Sequence, residues 1–254
     1  MEVKQPILET RGLSKRFGFV EAVKNVNWQV FPGQVTALVG DNGAGKSTLI
    51  KLICGAYLFD AGEIWVHGKR AQISGPVDAF KLGIAPVYQS LELVENRNVM
   101  LNMYLGNELT RGPLNVFLDK KRMYDESLRV LGEIHARIPD VREPVAKLSG
   151  GQRQVVAVGR ALVRGGEIII LDEPTAALGV EQTQEVLRLI ETLRSNGKTV
   201  ILISHNLSQV MEISDWISVM FHGEMVGSRR KDQVSRSDVV SMIMGTKADD
   251  LAMA

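Results

Sequence analysis

Val35-Thr36-Ala37-Leu38-Val39 runs straight into Gly40-Asp41-Asn42-Gly43-Ala44-Gly45-Lys46-Ser47, and the reading of this stretch decides the fold. The first five residues are a mostly apolar run of strand length that ends on a glycine. The next eight fit G-x-x-x-x-G-K-[ST] and open a helix, the setting in which that spacing forms a P-loop. Glycines let the backbone wrap closely, so that several N–H groups and a helix N-terminus converge on phosphate oxygens. Lys46 would bring a positive charge to the β and γ phosphates of a nucleotide, and Ser47 would offer its hydroxyl to Mg²⁺.

Upstream of this stretch, Val26-Asn27-Trp28-Gln29-Val30-Phe31 alternates with period two and Pro32-Gly33 is a turn pair; downstream, residues 62–68 read as another short strand. Residues 92–165 change texture, with few β-branched runs and helical stretches such as 120–134, so a mainly helical insertion is expected. A strand at 167–171 follows, then a helix at 181–195 with Val186, Leu189, Ile190 and Leu193 on one apolar face. A strand at 199–203, a helix starting near Asn206 and a strand at 216–221 come next, and about 20 residues after Val234 suffice for one more helix. Buried strands alternating with helices predict an α/β fold whose parallel sheet is covered on both faces.

Composition narrows the function. The 254 residues carry a formal charge of +1, with 45% hydrophobic and 23% charged residues. That is the mix of a globular domain, without the single-sign field that draws a chain onto nucleic acid. The apolar runs at 168–171 and 199–203 fall far short of the roughly 20 residues of a spanning helix. Met1-Glu2-Val3-Lys4-Gln5-Pro6 has no signal-peptide core, so the chain is expected to stay in the cytosol. The only cysteine, Cys54, excludes an internal disulfide and reads as a small buried hydrophobe.

Two further motifs carry chemistry. Ile168-Ile169-Ile170-Leu171-Asp172-Glu173 is a buried strand ending in adjacent carboxylates at the edge of the sheet where open α/β folds bind ligands. Asp172 is placed to hold Mg²⁺, directly or through water, and Glu173 to act as general base on an attacking water. Leu148-Ser149-Gly150-Gly151-Gln152 reads as an N-cap serine with glycines before an amphipathic helix at 153–163. Exposed N–H groups and a hydroxyl there also make a second anion site, which one P-loop domain needs only if the two sites face different nucleotides.

With these motifs together the sequence resembles the nucleotide-binding subunits of ATP-binding cassette (ABC) transporters over nearly its whole length. The resemblance implies a P-loop NTPase of the ABC-ATPase fold: a RecA-like core with an antiparallel β subdomain, about 1–91 and 165–234, a helical subdomain, about 92–164, and a C-terminal helix, about 235–246. It implies an ATP-binding set of Phe17, Gly40, Asp41, Asn42, Gly43, Ala44, Gly45, Lys46, Ser47 and Thr48, completed by Ser149, Gly150, Gly151 and Gln152 of the signature motif. Glu173, His205 and Gln89 are the implied catalytic residues, and Ser47, Gln89 and Asp172 the implied Mg²⁺ ligands. Phe17 is the candidate for stacking on adenine, with Phe19 as the alternate. Where the family pattern has an aspartate after its D-loop leucine, this chain has Gly179, a role left vacant or taken by a neighbour such as Glu181.

The texture of Asp41-Asn42, Val87-Tyr88-Gln89, Met103-Tyr104-Leu105-Gly106 and Pro174-Thr175-Ala176-Ala177-Leu178-Gly179 resembles the importers of monosaccharides of the ribose, xylose, galactose and fructose type. The implied partners are an integral-membrane permease docking around 89–105, a second copy or a related ATPase subunit, and, indirectly, a periplasmic or extracellular solute-binding protein, with no nucleic acid. The implied location is the cytoplasmic face of the cell membrane. The other readings are an ABC ATPase serving a transporter of another solute, and a soluble ABC ATPase of DNA repair or translation; the second lacks support from heptads or a basic arm.

Overall fold

The computed structural model describes residues 5–112, 116–176 and 178–246. Strands β1 (Leu8–Phe17) and β2 (Val20–Val30) form a hairpin, and β3 (Val35–Val39) leads through the glycine-rich loop into α1 (Lys46–Ile53). β4 (Ala61–Val66), β5 (Lys69–Arg70) and α2 (Pro76–Lys81) precede β6 (Ile84–Val87). The stretch expected to be helical holds α3 (Val99–Met103), a short ribbon of β7 (Thr110–Arg111) and β8 (Phe117–Leu118), then α4 (Lys120–Glu133) and α5 (Gly150–Val163). β9 (Ile168–Asp172), α6 (Val180–Ser195), β10 (Thr199–Ile203), α7 (Leu207–Ile213), β11 (Trp216–Phe221), β12 (Glu224–Arg230) and α8 (Arg236–Ile243) follow.

Two sheets organise these elements. The larger has six strands in the order β12-β11-β3-β10-β9-β6, parallel throughout except for the β11–β12 hairpin at one edge. The smaller is antiparallel, in the order β2-β1-β4-β5. Every residue of β3 and β10 is buried, as expected of strands covered on both faces. Alternate side chains divide between two cores: Ile169, Leu171, Val200 and Leu202 pack among the helices of the insertion and α6, whereas Ile168, Ile170, Ile201 and Ile203 join a cluster with α1 and the antiparallel sheet. Cys54 sits in that second cluster, where burial pushes its thiol up to about 12, so it behaves as the small hydrophobe the sequence suggested.

Three differences from the sequence reading have physical causes. β1 was not anticipated because register shifts near Thr10, Leu13 and Lys15 break its period-two pattern. The β7–β8 ribbon is too short to show periodicity. α5 begins at Gly150, three residues before the expected Arg153, because Ser149 and Gln152 close a full capping box: the Gln152 N–H donates to Ser149 Oγ at 3.2 Å and the Ser149 N–H to Gln152 Oε1 at 3.0 Å.

One buried polar contact pins the two sheets together: the Trp28 indole N–H of β2 donates to Ser218 Oγ of β11 at 2.8 Å, and that hydroxyl pairs with Ser228 Oγ at 2.9 Å. Ser218→Ala leaves the indole N–H without a partner, and denaturant unfolding should show a loss of about 1–3 kcal/mol. An unchanged midpoint would mean that the bond does not tie the sheets.

Candidate active site

The parallel register brings the ends of four strands to one edge. Ile203 of β10 stands opposite Asp172 of β9 and Leu38 of β3, and Val87 of β6 opposite Leu171. Four of the sequence-marked stretches follow these ends: residues 40–47 after β3, Glu173 after β9, Ser204-His205 after β10 and Gln89 after β6. This is the edge at which open α/β sheets bind ligands.

The glycine-rich loop is curled as the P-loop reading requires. Gly40 has φ +147°, and a Cβ there would stand 2.2 Å from the Met220 carbonyl oxygen; at Gly45, φ +104°, it would meet the Ala22 carbonyl oxygen at 2.4 Å. No other residue fits either position without moving β2 or β11. The Lys46 ammonium, nearly buried, donates to the Gly40 carbonyl at 2.7 Å and the Asp41 carbonyl at 2.9 Å. Burial pulls its pKa down, while the carboxylates of Glu173, Asp41 and Asp172 oppose that shift.

A cleft of about 540 Å³ lies over this loop, walled by Asn42 to Thr48, by Phe19 to Ala22 and Lys24 of β2 and the turn before it, and by His222 of the β11–β12 turn. Phe17 does not line it. Its ring is held edge-on against Tyr57 at 5.3 Å, under the Lys15 ammonium, whereas Phe19 is fully exposed at the mouth of the cleft. Both rings are exposed on the same hairpin, and only Phe19 borders this cleft. Lys24 and His222 were missed in the sequence, having no local pattern that ties them to residues 40–48.

Beside the loop, Glu173 takes a left-handed backbone, φ +50°, and its N–H donates to the Ile203 carbonyl at 2.9 Å. This strained turn aims the carboxylate at His205, whose Nδ1 lies 2.9 Å from Glu173 Oε2. The imidazole is exposed and the carboxylate largely covered, so the pair reaches solvent through the histidine. Burial, and then the neighbouring Glu173, raise the Asp172 pKa. Gln89 is exposed, two residues past β6. Thr175 Oγ1 donates to Gln209 Oε1 of α7 at 2.8 Å, a tie that the motifs did not announce.

These residues suit a magnesium ion. Ser47 hydroxyl, Gln89 carboxamide and Asp172 carboxylate make an all-oxygen donor set, and a half-buried carboxylate held above its usual range gains from a cation.

Residues 149–152 stand apart. None of them lines the cleft over residues 42–48. Ser149 is exposed at the tip of α5, and the two glycines face side-chain ends of the D-loop and α6: a Cβ on Gly150 would meet a Leu178 methyl at 2.6 Å and one on Gly151 the Glu185 carboxylate at 2.6 Å, groups that could swing aside. Gly179 is the N-cap of α6, Glu181 stands in that helix's first turn, and a Cβ on Gly179 would meet nothing within 4 Å. Ala177 lies outside the described residues.

The P-loop at the carboxyl edge of a parallel sheet, with an acidic pair on the strand two places away, defines a P-loop nucleotide-binding domain. Residues 23–176 match the ABC transporter family, and the chain belongs to that family. It is 40% identical over 237 residues to the xylose/arabinose import ATP-binding protein of Sulfolobus acidocaldarius, covering 93% of both chains. It is 40% identical to the fructose import ATP-binding protein of Rhizobium meliloti, covering 96% of each. Against the ribose import ATP-binding protein of Escherichia coli it is 39% identical over 97% of its own length but spans only 48% of that relative. A nucleotide-free ATP-binding cassette from an ABC transporter superposes with a TM-score of 0.82 at 27% identity, over 95% of this chain and 98% of the other. An ADP-bound cassette of an ABC transporter gives 0.82 at 27% identity, over 95% and 100%. No helix among the described residues is long and apolar enough to cross a membrane.

The two aromatics can be separated by titration with a fluorescent ATP analogue. Phe19→Ala should weaken binding about tenfold, the loss of one stacking contact of about 1–1.5 kcal/mol, and Phe17→Ala by less than about twofold. The reverse order would return the stacking role to Phe17.

Proposed function

We propose that this chain is the ATP-hydrolysing subunit of an importer, driving uptake of a monosaccharide through a membrane permease at the cytoplasmic face of the cell membrane. Support for the sugar comes from the relatives, which are named for import of xylose and arabinose, fructose and ribose. A permease is the partner, and a solute-binding protein outside the membrane would deliver the sugar to it. The observation that supports the mechanism is spatial: no residue of 149–152 lines the cleft over the P-loop, which fits a site shared between two chains. Two chains arranged head to tail supply two complete sites, each ATP lying between the P-loop of one protomer and Ser149–Gln152 of its partner.

In this reading Phe19 stacks on the base. Lys46 exchanges its bonds to the Gly40 and Asp41 carbonyls for oxygens of the β and γ phosphates. Ser47, Gln89 and Asp172 would hold Mg²⁺, which when bound offsets charge on the phosphate oxygens. Glu173, steadied by His205, accepts a proton from the water that attacks the γ phosphorus, and ADP leaves. Ser149 and Gly151 of the partner close on the γ phosphate with the positive end of α5. Hydrolysis removes the group that both protomers hold, and the pair reopens.

Glu173→Gln should bind ATP but turn it over at least about a hundredfold more slowly, the low end of what a general base supplies, and should elute as a dimer on size exclusion with ATP. Wild-type turnover would remove Glu173 from the base role. Ser149→Arg, exposed on a single chain, should leave nucleotide affinity of the monomer unchanged and abolish turnover. Retained turnover would contradict the shared site.

A further inference from the structure

The cleft over residues 42–48 has a wall that no sequence motif supplies, made by Lys24 of β2 and His222 of the β11–β12 turn. Gly223 joins both to the glycine-rich loop. Its N–H donates to the Ala44 carbonyl at 2.9 Å and its carbonyl accepts from the Lys24 N–H at 2.8 Å, so strand, turn and loop are bonded through one residue. A glycine suits that place: φ is +88°, and a Cβ there would stand 3.1 Å from the Glu21 carbonyl oxygen and 3.2 Å from that of Ala22. The backbones of Lys24 and His222 are thus set against the loop by main-chain bonds.

Their side chains are not so engaged. Among the described residues the Lys24 ammonium has no hydrogen bond, ion pair or ring contact, and neither imidazole nitrogen of His222 is hydrogen-bonded. The His222 ring stands edge-on to Phe221 at 4.2 Å, and Phe221 is backed by Gly245 just past α8, where a Cβ would meet the ring at 2.8 Å. The ring is braced while its nitrogens stay open. Glu21 is the one carboxylate lining the cleft among the described residues, and it pairs with Arg16 of β1 at 3.4 Å. Lys46 donates to the Gly40 and Asp41 carbonyls, which leaves Lys24 as the cleft's ammonium without a partner among the described residues. Lys24 is half-buried, and a partly desolvated cation of this kind gains when an anion arrives.

We infer that Lys24 and His222 hold the phosphate chain of the nucleotide from outside the glycine-rich loop, Lys24 as a cation and His222 through a ring N–H. The inference deepens the proposed function and rests on its placing of the phosphates over residues 42–48. Both side chains recognise phosphate oxygens and not the base, so they strengthen binding of any nucleoside triphosphate without choosing between purines. Their contacts are made before the γ phosphorus is attacked, and such binding acts on KM more than on kcat.

The test uses the whole chain with Lys24→Gln, Lys24→Arg and His222→Asn, titrated with fluorescent ATP and GTP analogues at about 0.05 M and about 0.5 M salt. Asparagine tolerates the left-handed backbone of His222, φ +45°, but is shorter than the imidazole. At low salt Lys24→Gln should weaken both analogues about fivefold or more and His222→Asn about threefold, the size of a lost hydrogen bond to a charged group. High salt should shrink the Lys24→Gln loss to less than about twofold, and Lys24→Arg should recover most of it. In steady-state ATPase assays most of the loss should fall on KM. Melting temperatures should stay within about 2 °C of wild type, since no contact of the fold is removed.

Wild-type affinity in either variant would remove that residue from the site, and a loss for the ATP analogue alone would mean contact with the base and overturn the inference. So would a loss that persists at high salt with a lowered melting temperature, the mark of ordinary packing. If Lys24→Gln does not fold, Lys24→Met, which keeps the stem and drops the charge, is judged by the same readouts. Lys46→Ala separates the inference from the reading beneath it. Should that variant bind nucleotide as wild type does, the loop is not the phosphate site and the proposed function fails; should it lose binding while Lys24→Gln and His222→Asn keep theirs, the inference alone fails.

Discussion

The structure depends on how closely the loop after β3 approaches its neighbours. At Gly40 and Gly45 the backbone passes the Met220 and Ala22 carbonyls with no room for a Cβ. That approach turns the N–H groups and the start of α1 toward one point, and Lys46 is held across the loop by its own carbonyls. The antiparallel sheet and the β11–β12 turn press the loop into this shape, so the second sheet serves the site as well as the core. Trp28, reaching from one sheet to Ser218 of the other, keeps the two walls of the cleft in register.

The parallel sheet then solves a placement problem. Chemistry on a terminal phosphate needs a cation, a base and a polar group near one another, and strands of matched register deliver Asp172, Glu173 and His205 to a common edge. The turn at Ser149 is set on α5, whose core cluster joins α6, the insertion and one face of the parallel sheet. In the proposed mechanism one protomer carries two half-sites, and ATP bridges two protomers.

How much of this was legible depends on the range over which each signal acts. Residues 40–47, 148–152 and 168–173 announce themselves because their chemistry lies in a few consecutive side chains, and the α/β alternation follows from runs such as 199–203 that are buried on both faces. β1 stayed hidden because bulges break its alternation. The cleft wall formed by Phe19, Lys24 and His222 was not readable, since His222 reaches it through a turn some 175 residues beyond the loop it covers. The sequence offers Phe17 and Phe19 as neighbouring aromatics, whereas the contact of Phe17 with Tyr57 is a tertiary fact.

The head-to-tail arrangement is the central claim, and chemical cross-linking tests it most directly. Cys54 is buried with its thiol pushed up to about 12, so it stays silent toward oxidants. Chains bearing Asn42→Cys and chains bearing Ser149→Cys, both with Glu173→Gln, are mixed in equal amounts and oxidised with and without ATP. The account expects an ATP-dependent disulfide joining one chain of each kind, position 42 to position 149. Links of 42 to 42 or of 149 to 149, or a mixed link that forms equally without nucleotide, would contradict it.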